Sequence, residues 1–405
     1  MSKFSKSAVI SILLILAVTF TMRMTTNMLM TSIPVLAKFT LLASTFLTAL
    51  PVVMYAVTGL LANLFLNGRI RASRISISIA ASLFVMAISL PLFYLARNIW
   101  EVAAIAAVDG LSMGLVPPLL LTLISLAYED IRDNVLGFYT SALSISLIAG
   151  TFMQGFLLSS ISVSVRDLFI YFFPVPLVSA LLMMVLAARL KIDDGNQRRS
   201  ISTSTIIRTI PKLFRNSGFN FGFFGNLTYS FPFVIIMTYG SLIAKYYSGL
   251  SPALFFYALT SFFFVSMITR LAMSFRPPEN RYRLMFVSLA FTIAGFIALT
   301  LSRNPLEFVF SMVLLGFPHG SIYPIATMSV SSSVQKSEVS IAFATFNIIF
   351  NILNLALPAA FGYIAQIATI RIAMLVMIAP MAYISYESIR NGIAIRRQRS
   401  VTIPN

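Results

Sequence analysis

The sequence predicts an all-α integral membrane protein with twelve transmembrane helices in two six-helix bundles. Apolar residues make up 58% of the chain and charged residues 10%, whereas an ordinary globular domain carries about 25% charged residues. The apolar stretches are continuous over roughly 20 residues, which is the length that an α-helix needs to cross a bilayer. A hydrophilic interval near the middle of the chain separates six such stretches from six more. We therefore expect two halves of equal helix number.

The same composition excludes several classes of protein. Continuous apolar stretches exclude a transmembrane β-barrel, whose strands alternate apolar and polar residues. The absence of cysteine excludes disulfides, thiol catalysis and thiolate metal sites, and a single histidine argues against a histidine metal site. The sequence also lacks a glycine-rich phosphate loop and clustered acidic residues. We expect no enzyme activity, no cofactor and no metal.

The first helix begins near the N-terminus. Lys3 and Lys6 precede an apolar run, as in a signal peptide, but no small-residue cleavage site follows. We therefore predict that the first span is not cleaved. The twelve predicted spans are 9–34, 44–66, 75–96, 99–126, 135–158, 168–189, 219–243, 252–273, 284–302, 306–331, 340–364 and 370–389. These spans define an N-terminal bundle at 1–189, a cytoplasmic linker at 190–218, a C-terminal bundle at 219–389 and a disordered basic tail at 390–405.

The distribution of positive charge predicts the orientation. With the N-terminus inside, 22 of the 29 lysines and arginines fall in cytoplasmic segments, six fall outside, and Arg23 lies within a span. Cytoplasmic loops of membrane proteins carry this excess of positive charge. We therefore expect a cytoplasmic membrane protein with both termini cytoplasmic. The net charge of +17 is then explained by contact with anionic lipid and not by nucleic acid.

An internal repeat relates the two halves. The fourth and tenth spans carry the same Gly-x3-Gly-x3-Pro pattern 206 residues apart, at Gly110, Gly114 and Pro118 and at Gly316, Gly320 and Pro324. Pro34-Val-Leu-Ala-Lys38 and Ser241-Leu-Ile-Ala-Lys245, at the ends of spans one and seven, are 207 residues apart. Six helices per half is an even number, so both halves enter from the same side. A parallel repeat, with its axis along the membrane normal, follows.

With these features, the chain resembles the major facilitator superfamily over essentially its whole length. The resemblance rests on the 6+6 topology, the glycine–proline pattern, the Glu129–Gly137 loop, and the basic loop after span two, which contains Arg69, Arg71 and Arg74. It departs from drug antiporters where Ala106 replaces their arginine and where Gly150 to Gly155 contains no proline. The resemblance implies a central substrate cavity lined by spans one, four, seven and ten, and a gating role for the three loop arginines. It also implies a helix-packing role for the glycines and prolines of spans four and ten.

Three ionisable residues lie well inside predicted spans: Arg23, Asp109 and His319. A charge near the bilayer centre costs about 2.5–3.5 kcal/mol on insertion scales, so each is a functional candidate. Arg23 and Asp109 are expected at similar depth. They form either a structural ion pair or a substrate hook beside a proton-exchanging carboxylate. His319 is either a hydrogen-bonded packing residue or a proton or substrate contact.

Further polar residues share the predicted helix faces. Asn27 follows Arg23 by one turn, and Tyr323 follows His319 by one turn. The repeat offset places Tyr229 or Ser230 at the position of span seven that is equivalent to Arg23 in span one, with Asn226 one turn earlier. Span eleven carries a stripe that packs between helices or lines the cavity, at Asn347, Asn351 and Asn354. Arg270 is expected to extend to the cytoplasmic interface rather than to bind substrate. The phenylalanine clusters at 221–224 and 262–264 are expected to form lipid- and helix-packing surface, with an aromatic drug pocket as the alternative.

The predicted function is secondary active transport by alternating access. We expect a small-molecule substrate, protons as the coupling ion, the lipid bilayer as surroundings, no nucleic-acid partner and a monomer. Proton-coupled export of drug-like or metabolite compounds is the first interpretation. One alternative is an organic-anion carrier, for uptake or exchange, that uses Arg23. An alternative of another class is a transport-inactive membrane sensor or scaffold.

Overall fold

A computed structural model describes residues 6–128, 131–190, 203–276, 278, 280–335 and 338–401. In these residues the protein has twelve helical segments that are long and apolar enough to cross a membrane. The predicted fold class of twelve transmembrane helices is therefore confirmed. By packing, the chain divides into two compact units, Met1–Ser200 and Ile201–Asn405, which are described separately.

The N-terminal unit contains eight α-helices in its described part. Two of its spans are each built from two helices, α4 with α5 and α7 with α8. The helices are α1 Lys6–Val35, α2 Leu50–Phe65, α3 Ile75–Leu95, α4 Ile99–Met113, α5 Val116–Ala127, α6 Arg132–Ser160, α7 Asp167–Phe172 and α8 Pro174–Arg189.

The C-terminal unit contains seven helices in its described part. The first is a short helix that precedes the seventh span, and the other six are spans. They are α9 Thr203–Leu213, α10 Ser217–Ser248, α11 Pro252–Phe275, α12 Arg281–Leu301, α13 Pro305–Ser333, α14 Val339–Ile367 and α15 Ile370–Val401.

The structure differs from the predictions at the linker and at the tail. The segment 190–218 lies partly outside the described residues, but its second part forms helix α9. The tail that we expected to be disordered from residue 390 instead continues α15 to Val401. An unbroken run of residues without glycine or proline follows Gly392 as far as Val401, and nothing in it ends a helix.

Proline explains the broken fourth span. Pro117 and Pro118 lack the backbone N–H groups that would bond to carbonyls one turn earlier, and α4 ends at Met113 just before them. In α13 the prolines Pro318 and Pro324 are six residues apart, and that helix continues through both. The repeated pattern therefore has a different backbone in each half.

Glycine gives the two halves the same close helix packing. A Cβ atom on Gly110 would lie 2.2 Å from the carbonyl oxygen of Tyr55, and one on Gly114 would lie 2.3 Å from that of Gly59. In the C-terminal unit, a Cβ on Gly316 or on Gly320 would lie 2.6 or 2.5 Å from a carbonyl oxygen of α11. Residues with side chains cannot approach so closely. The glycines thus let α4 contact α2, and α13 contact α11.

Matching caps begin the fourth and tenth spans. Asn98 accepts hydrogen bonds from the N–H groups of Trp100 and Glu101, while Glu101 accepts one from the N–H of Arg97 at 2.7 Å. At α13 the side chain of Asn304 accepts from the N–H of Glu307, and Glu307 accepts from that of Arg303 at 2.7 Å. These reciprocal bonds satisfy N–H groups that a helix end leaves without partners. They recur 206 residues apart, at the offset of the glycine pattern.

Candidate functional site

Arg23 lies in the middle of α1 with its side chain partly buried. Its guanidinium interacts electrostatically with Tyr55 of α2 and Tyr139 of α6. The first helix approaches α6 closely, since a Cβ on Gly150 would lie 3.2 Å from the carbonyl oxygen of Met24. The cation of α1 is therefore within electrostatic range of tyrosines on two other helices of the N-terminal unit.

Asp109 is fully buried on α4 and contacts α3. Its Oδ2 atom lies 2.8 Å from Ser89 Oγ, and that hydroxyl lies 2.7 Å from the carbonyl oxygen of Met86. The second carboxyl oxygen, Oδ1, is buried with no hydrogen-bond partner in the described part of the chain. A buried carboxyl group with an unsatisfied oxygen is costly, and such groups concentrate at functional sites.

Arg23 and Asp109 do not form the ion pair that was one of the two predicted arrangements. Within the described ranges, neither residue has an ion-pair partner. Tyr55 interacts electrostatically with both of them. Asp109 instead accepts a hydrogen bond from Ser89 on α3, while the neighbouring Gly110 contacts α2. Tyr55 is thus within electrostatic range of both charges.

Asn27 lies one turn after Arg23 on the same face of α1. Its side chain is 2% exposed, and neither Nδ2 nor Oδ1 has a hydrogen-bond partner among the residues described. A buried primary amide without partners loses several hydrogen bonds that it would make with water. Its position supplies both a donor and an acceptor close to the guanidinium.

His319 lies on α13 inside an aromatic enclosure in the C-terminal unit. Its Nδ1 atom lies 2.7 Å from Ser266 Oγ of α11. Four rings surround the imidazole with centroid distances of 4.9 to 5.7 Å, from Phe262, Phe233, Tyr229 and Phe263. The predicted hydrogen-bonded environment is present. The phenylalanines at 262 and 263 are buried against this histidine, so they are not lipid-facing surface.

The side chain of Arg270 lies in a different place from the one expected from the sequence. We expected its side chain to extend to the interface, but Nη2 donates a hydrogen bond to the carbonyl oxygen of His319 at 3.3 Å. The guanidinium also interacts electrostatically with Tyr229 and Tyr323. The close contact of α11 with α13 at Gly320 brings the arginine to this carbonyl. Arg270 thus belongs to the same cluster as His319.

The remaining predicted residues of α10 and α13 differ in burial. Asn226 and Tyr229 are 3% and 7% exposed, and Asn226 Nδ2 and the Tyr229 hydroxyl have no hydrogen-bond partner in the described segments. Tyr323 is 50% exposed. The structure therefore brings Tyr229, His319 and Arg270 together, with Tyr323 at the margin of the cluster.

Two other predicted groups lie on the surface. Asn347 and Asn351 are exposed on α14, so they are not packed between helices as one interpretation required; the side chain of Asn354 lies outside the described residues. Arg69, Arg71 and Arg74 are all exposed in the turns between α2 and α3. The gating role of these three arginines stays a prediction.

The comparisons with known proteins identify the family. A family model described as Major Facilitator Superfamily matches residues 15–279, which is more than half of the chain. The chain belongs to this superfamily. A search of curated proteins found no significant match.

Solved structures of superfamily transporters share the fold at low sequence identity. The nucleoside transporter NupG is 14% identical over 94% of this chain and 99% of its own, with a TM-score of 0.72. A bacterial homologue of the human lysosomal transporter Spinster is 13% identical over 96% of this chain and 98% of its own, also with a TM-score of 0.72. The peptide transporter POT is 10% identical over 95% of this chain and 94% of its own, with a TM-score of 0.75.

Membership of the Major Facilitator Superfamily makes this chain a secondary transporter of a small solute and not an enzyme. The neighbours are named for nucleosides and peptides, so the shared fold does not select a substrate. The substrate must be argued from the residues of this chain.

Several residues that interact with Arg23, Asp109 and His319 were not recognised from the sequence. Tyr55, Ser89 and Tyr139 interact with the predicted charges in the N-terminal unit, and Ser266 and Arg270 with His319 in the other. Serine and tyrosine are frequent in membrane helices, so their residue type alone distinguishes none of them. The position of Arg270 could have been recognised from the sequence. It follows Phe262 by eight residues, which is about two turns, and therefore lies on the same face of the helix.

Proposed function

We propose that the protein is a proton-coupled carrier of small organic anions and that Arg23 binds the anionic group. One observation carries the proposal. Arg23 is a partly buried cation in a membrane helix with no carboxylate partner among the described residues of its unit. An unneutralised arginine in this position is costly, and a bound anion would offset that cost.

The surroundings of Arg23 suit an anion with hydrogen-bonding groups. Its guanidinium offers a planar fork of N–H donors that matches carboxylate and phosphate oxygens. The unpartnered amide of Asn27 adds a donor on the same helix face, and Tyr55 adds a hydroxyl from α2. These groups favour a small carboxylated or phosphorylated compound over an apolar cation.

Asp109 supports proton coupling. The Ser89 hydroxyl has one hydrogen but two acceptors within reach, the Met86 carbonyl and Asp109. A protonated Asp109 carboxyl could donate to Ser89 Oγ, which would then donate to the carbonyl, so that all three groups are satisfied. An ionised carboxylate at the same place would be buried without compensation. Tyr55 connects this carboxyl to Arg23, so anion binding would change the electrostatic balance at Asp109.

Export of drug-like compounds is the second candidate. The observation that favours it is the aromatic enclosure of His319 by Tyr229, Phe233, Phe262 and Phe263. Aromatic walls bind flat apolar ligands and cations. The presence of Arg270 in the same cluster disfavours a cation there.

A ligand thermal-shift screen on detergent-purified protein tests the proposal. The panel holds organic anions, neutral sugars and lipophilic cations, and the variants are Arg23→Gln and Arg97→Gln. Arg97 is an exposed loop arginine, so its variant removes the same charge away from the cluster. We expect anions to raise the Tm of the wild type and of Arg97→Gln. A lost charge-assisted contact of about 1.5–3 kcal/mol corresponds to roughly ten- to a hundredfold weaker binding in Arg23→Gln.

Three outcomes would reject or replace this function. Lipophilic cations that stabilise the protein while anions do not would establish the second candidate. Anions that bind Arg23→Gln as tightly as the wild type would remove Arg23 from the site. A folded wild type that binds no member of the panel would favour the sensor or scaffold interpretation.

A further inference from the structure

A polar cavity lies in the C-terminal unit, at the end that the charge distribution predicts to be cytoplasmic. Its volume is about 390 Å³, and it is lined where α10 and α12 begin and α13 ends. The polar lining comes mainly from Arg215, Arg281, Tyr282, Ser329, Ser332 and Ser333. Ser329 follows His319 by ten residues, so the cavity is roughly 15 Å along α13 from the histidine cluster. It is therefore distinct from the residues considered above.

The cavity has a strongly positive lining. Arg215 and Arg281 both contribute to it, and no aspartate or glutamate is among the residues that line it in the described part of the chain. The N-terminus of α10 adds a partial positive charge, although Asn216 already caps the N–H groups of Gly218 and Phe219. An anion is the ligand that this field attracts.

The side chain of Arg281 is held in position for a ligand. Its Nη1 donates a hydrogen bond to Ser332 Oγ at 3.1 Å, and its guanidinium carbon lies 5.5 Å from the centre of the Tyr282 ring. One hydrogen bond uses one of five N–H donors. The others remain for an acceptor in the cavity.

Two buried hydroxyl groups in the lining lack partners. Ser329 is 3% exposed and Tyr282 is 7% exposed, and neither hydroxyl has a hydrogen-bond partner within the described residues. An unsatisfied buried hydroxyl is costly and calls for an explanation. A ligand oxygen in the cavity would pair with both groups.

From these contacts we infer that the cavity is a binding site for a phosphate group, with Arg281 as its main ligand and Ser329 and Tyr282 as hydroxyl donors. Arginine recognises phosphate through parallel N–H···O bonds, and serine hydroxyls complete such sites. The phosphate belongs either to an anionic lipid headgroup at the membrane surface or to a soluble phosphate compound. Both sources present the same chemistry to these residues.

Binding measurements on the purified full chain test the site and separate the two sources. The probes are inorganic phosphate, glycerol 3-phosphate and phosphatidylglycerol, each added to protein in a neutral detergent and followed by thermal shift and native mass spectrometry. The variants are Arg281→Gln and Ser329→Ala. Arg283→Gln is the matched control, because Arg283 is an exposed arginine on the same helix that does not line the cavity.

We expect saturable binding of at least one probe to the wild type. Binding should be about tenfold weaker or more in Arg281→Gln, because a charge-assisted contact of at least about 1.4 kcal/mol is lost. It should be unchanged in Arg283→Gln. Binding of phosphatidylglycerol alone assigns the site to lipid, and saturable binding of the soluble probes assigns it to soluble phosphates. Ser329→Ala should weaken binding without lowering the Tm of the unliganded protein, because it removes a hydroxyl that has no partner.

The inference is overturned if no probe binds saturably to folded wild-type protein. It is also overturned if Arg281→Gln and Arg283→Gln weaken binding equally, which would indicate general surface charge. A Ser329→Ala variant that lowers the Tm of the unliganded protein and leaves binding unchanged would show a structural hydroxyl and remove it from the site.

Discussion

At the scale of single residues, the proposed proton coupling depends on Asp109. Asp109→Asn keeps the size of the side chain and a hydrogen-bonding group for Ser89, but it cannot exchange a proton. We therefore expect the variant to bind the anion and to exchange it across proteoliposome membranes at near wild-type rates. It should no longer accumulate the anion when a pH gradient is imposed.

The corresponding measurement compares gradient-driven uptake with exchange at equal pH in the same proteoliposomes. Ser112→Ala is a suitable control, since Ser112 lies on the same helix and its hydroxyl bonds to the backbone of Val108 within that helix. If Asp109→Asn still accumulates the anion with the pH gradient, Asp109 does not carry the coupled proton.

The charged residues of the candidate sites could be singled out from the sequence, but not the side chains that they contact. Arg23, Asp109 and His319 are conspicuous because an ionisable residue in an apolar span is costly. Their pairing depends on which helix faces meet, and a spacing of four residues fixes a face only within one helix. The turn of Asp109 toward Ser89 and the position of Arg270 beside His319 are consequences of packing between helices. They could not be obtained from either helix alone.

At the scale of elements, the approach of α4 to α2 depends on Gly114. A Cβ atom there would lie 2.3 Å from the carbonyl oxygen and 2.7 Å from the Cα of Gly59, which are backbone atoms that cannot rotate away. We expect Gly114→Ala to lower the stability by about 1–3 kcal/mol, as overpacking does. The fall should appear as a lower Tm in detergent.

Gly137→Ala is the matched control for this prediction. Gly137 lies in α6, and nothing lies within 4 Å of the position that its Cβ would take. Alanine is the better helix former by about 1 kcal/mol, so this variant should be neutral or more stable. Equal losses in the two variants would show that helix contact at Gly114 is not the cause.

Helix α9 is attached to the rest of its unit by an ion pair between Lys212 and Glu338. The hydrogen bond from Lys212 lowers the pKa of the Glu338 carboxyl below its ordinary value of 4.5. A lowered pKa means that the pair stabilises the docked helix above pH 4.5 and that this contribution is lost as the pH falls through the lowered value. Both side chains are at the surface, so the effect is local.

Hydrogen exchange of the α9 amide groups measures this attachment. We expect lower protection factors, that is, exchange rates corrected for the intrinsic pH dependence of amide exchange, in Glu338→Gln at neutral pH, and no further change in these factors on acidification of that variant. In the wild type, protection relative to the variant should disappear in acid. Identical exchange in the two proteins at neutral pH would show that α9 is held by other contacts, such as those that Phe214, the residue after the helix, makes with Phe219 and Phe223.

At the scale of the whole molecule, the twelve spans could be predicted because hydropathy and spacing are properties of the sequence itself. The caps at Asn98 and Asn304 and the glycine contacts recur 206 residues apart, so the repeat has a structural counterpart. The break between α4 and α5 and the extension of α15 were not predicted. The sequence contains the cause of each, the adjacent Pro117 and Pro118 and a run without glycine or proline after Gly392, but a hydropathy pattern does not register a helix break inside an apolar span or a helix that continues into a basic segment.

The predicted orientation can be tested by cysteine labelling, because the chain contains no cysteine of its own. Single-cysteine variants Arg71→Cys and Arg303→Cys place one thiol in an exposed position on each predicted side. With both termini cytoplasmic, an impermeant maleimide should label Arg303→Cys in intact cells and Arg71→Cys only after the membrane is opened. The reverse pattern would place the termini outside.

The most direct test of the account is exchange of an anion by the purified protein in proteoliposomes. Vesicles are loaded with the anion that gives the largest thermal shift, and entry of the labelled compound is followed for wild type, Arg23→Gln and Arg97→Gln. We predict rapid exchange by the wild type and by Arg97→Gln, and a rate reduced at least about tenfold in Arg23→Gln, corresponding to about 1.4 kcal/mol of lost binding. Exchange by folded Arg23→Gln at the wild-type rate would contradict the proposal that this arginine binds the substrate.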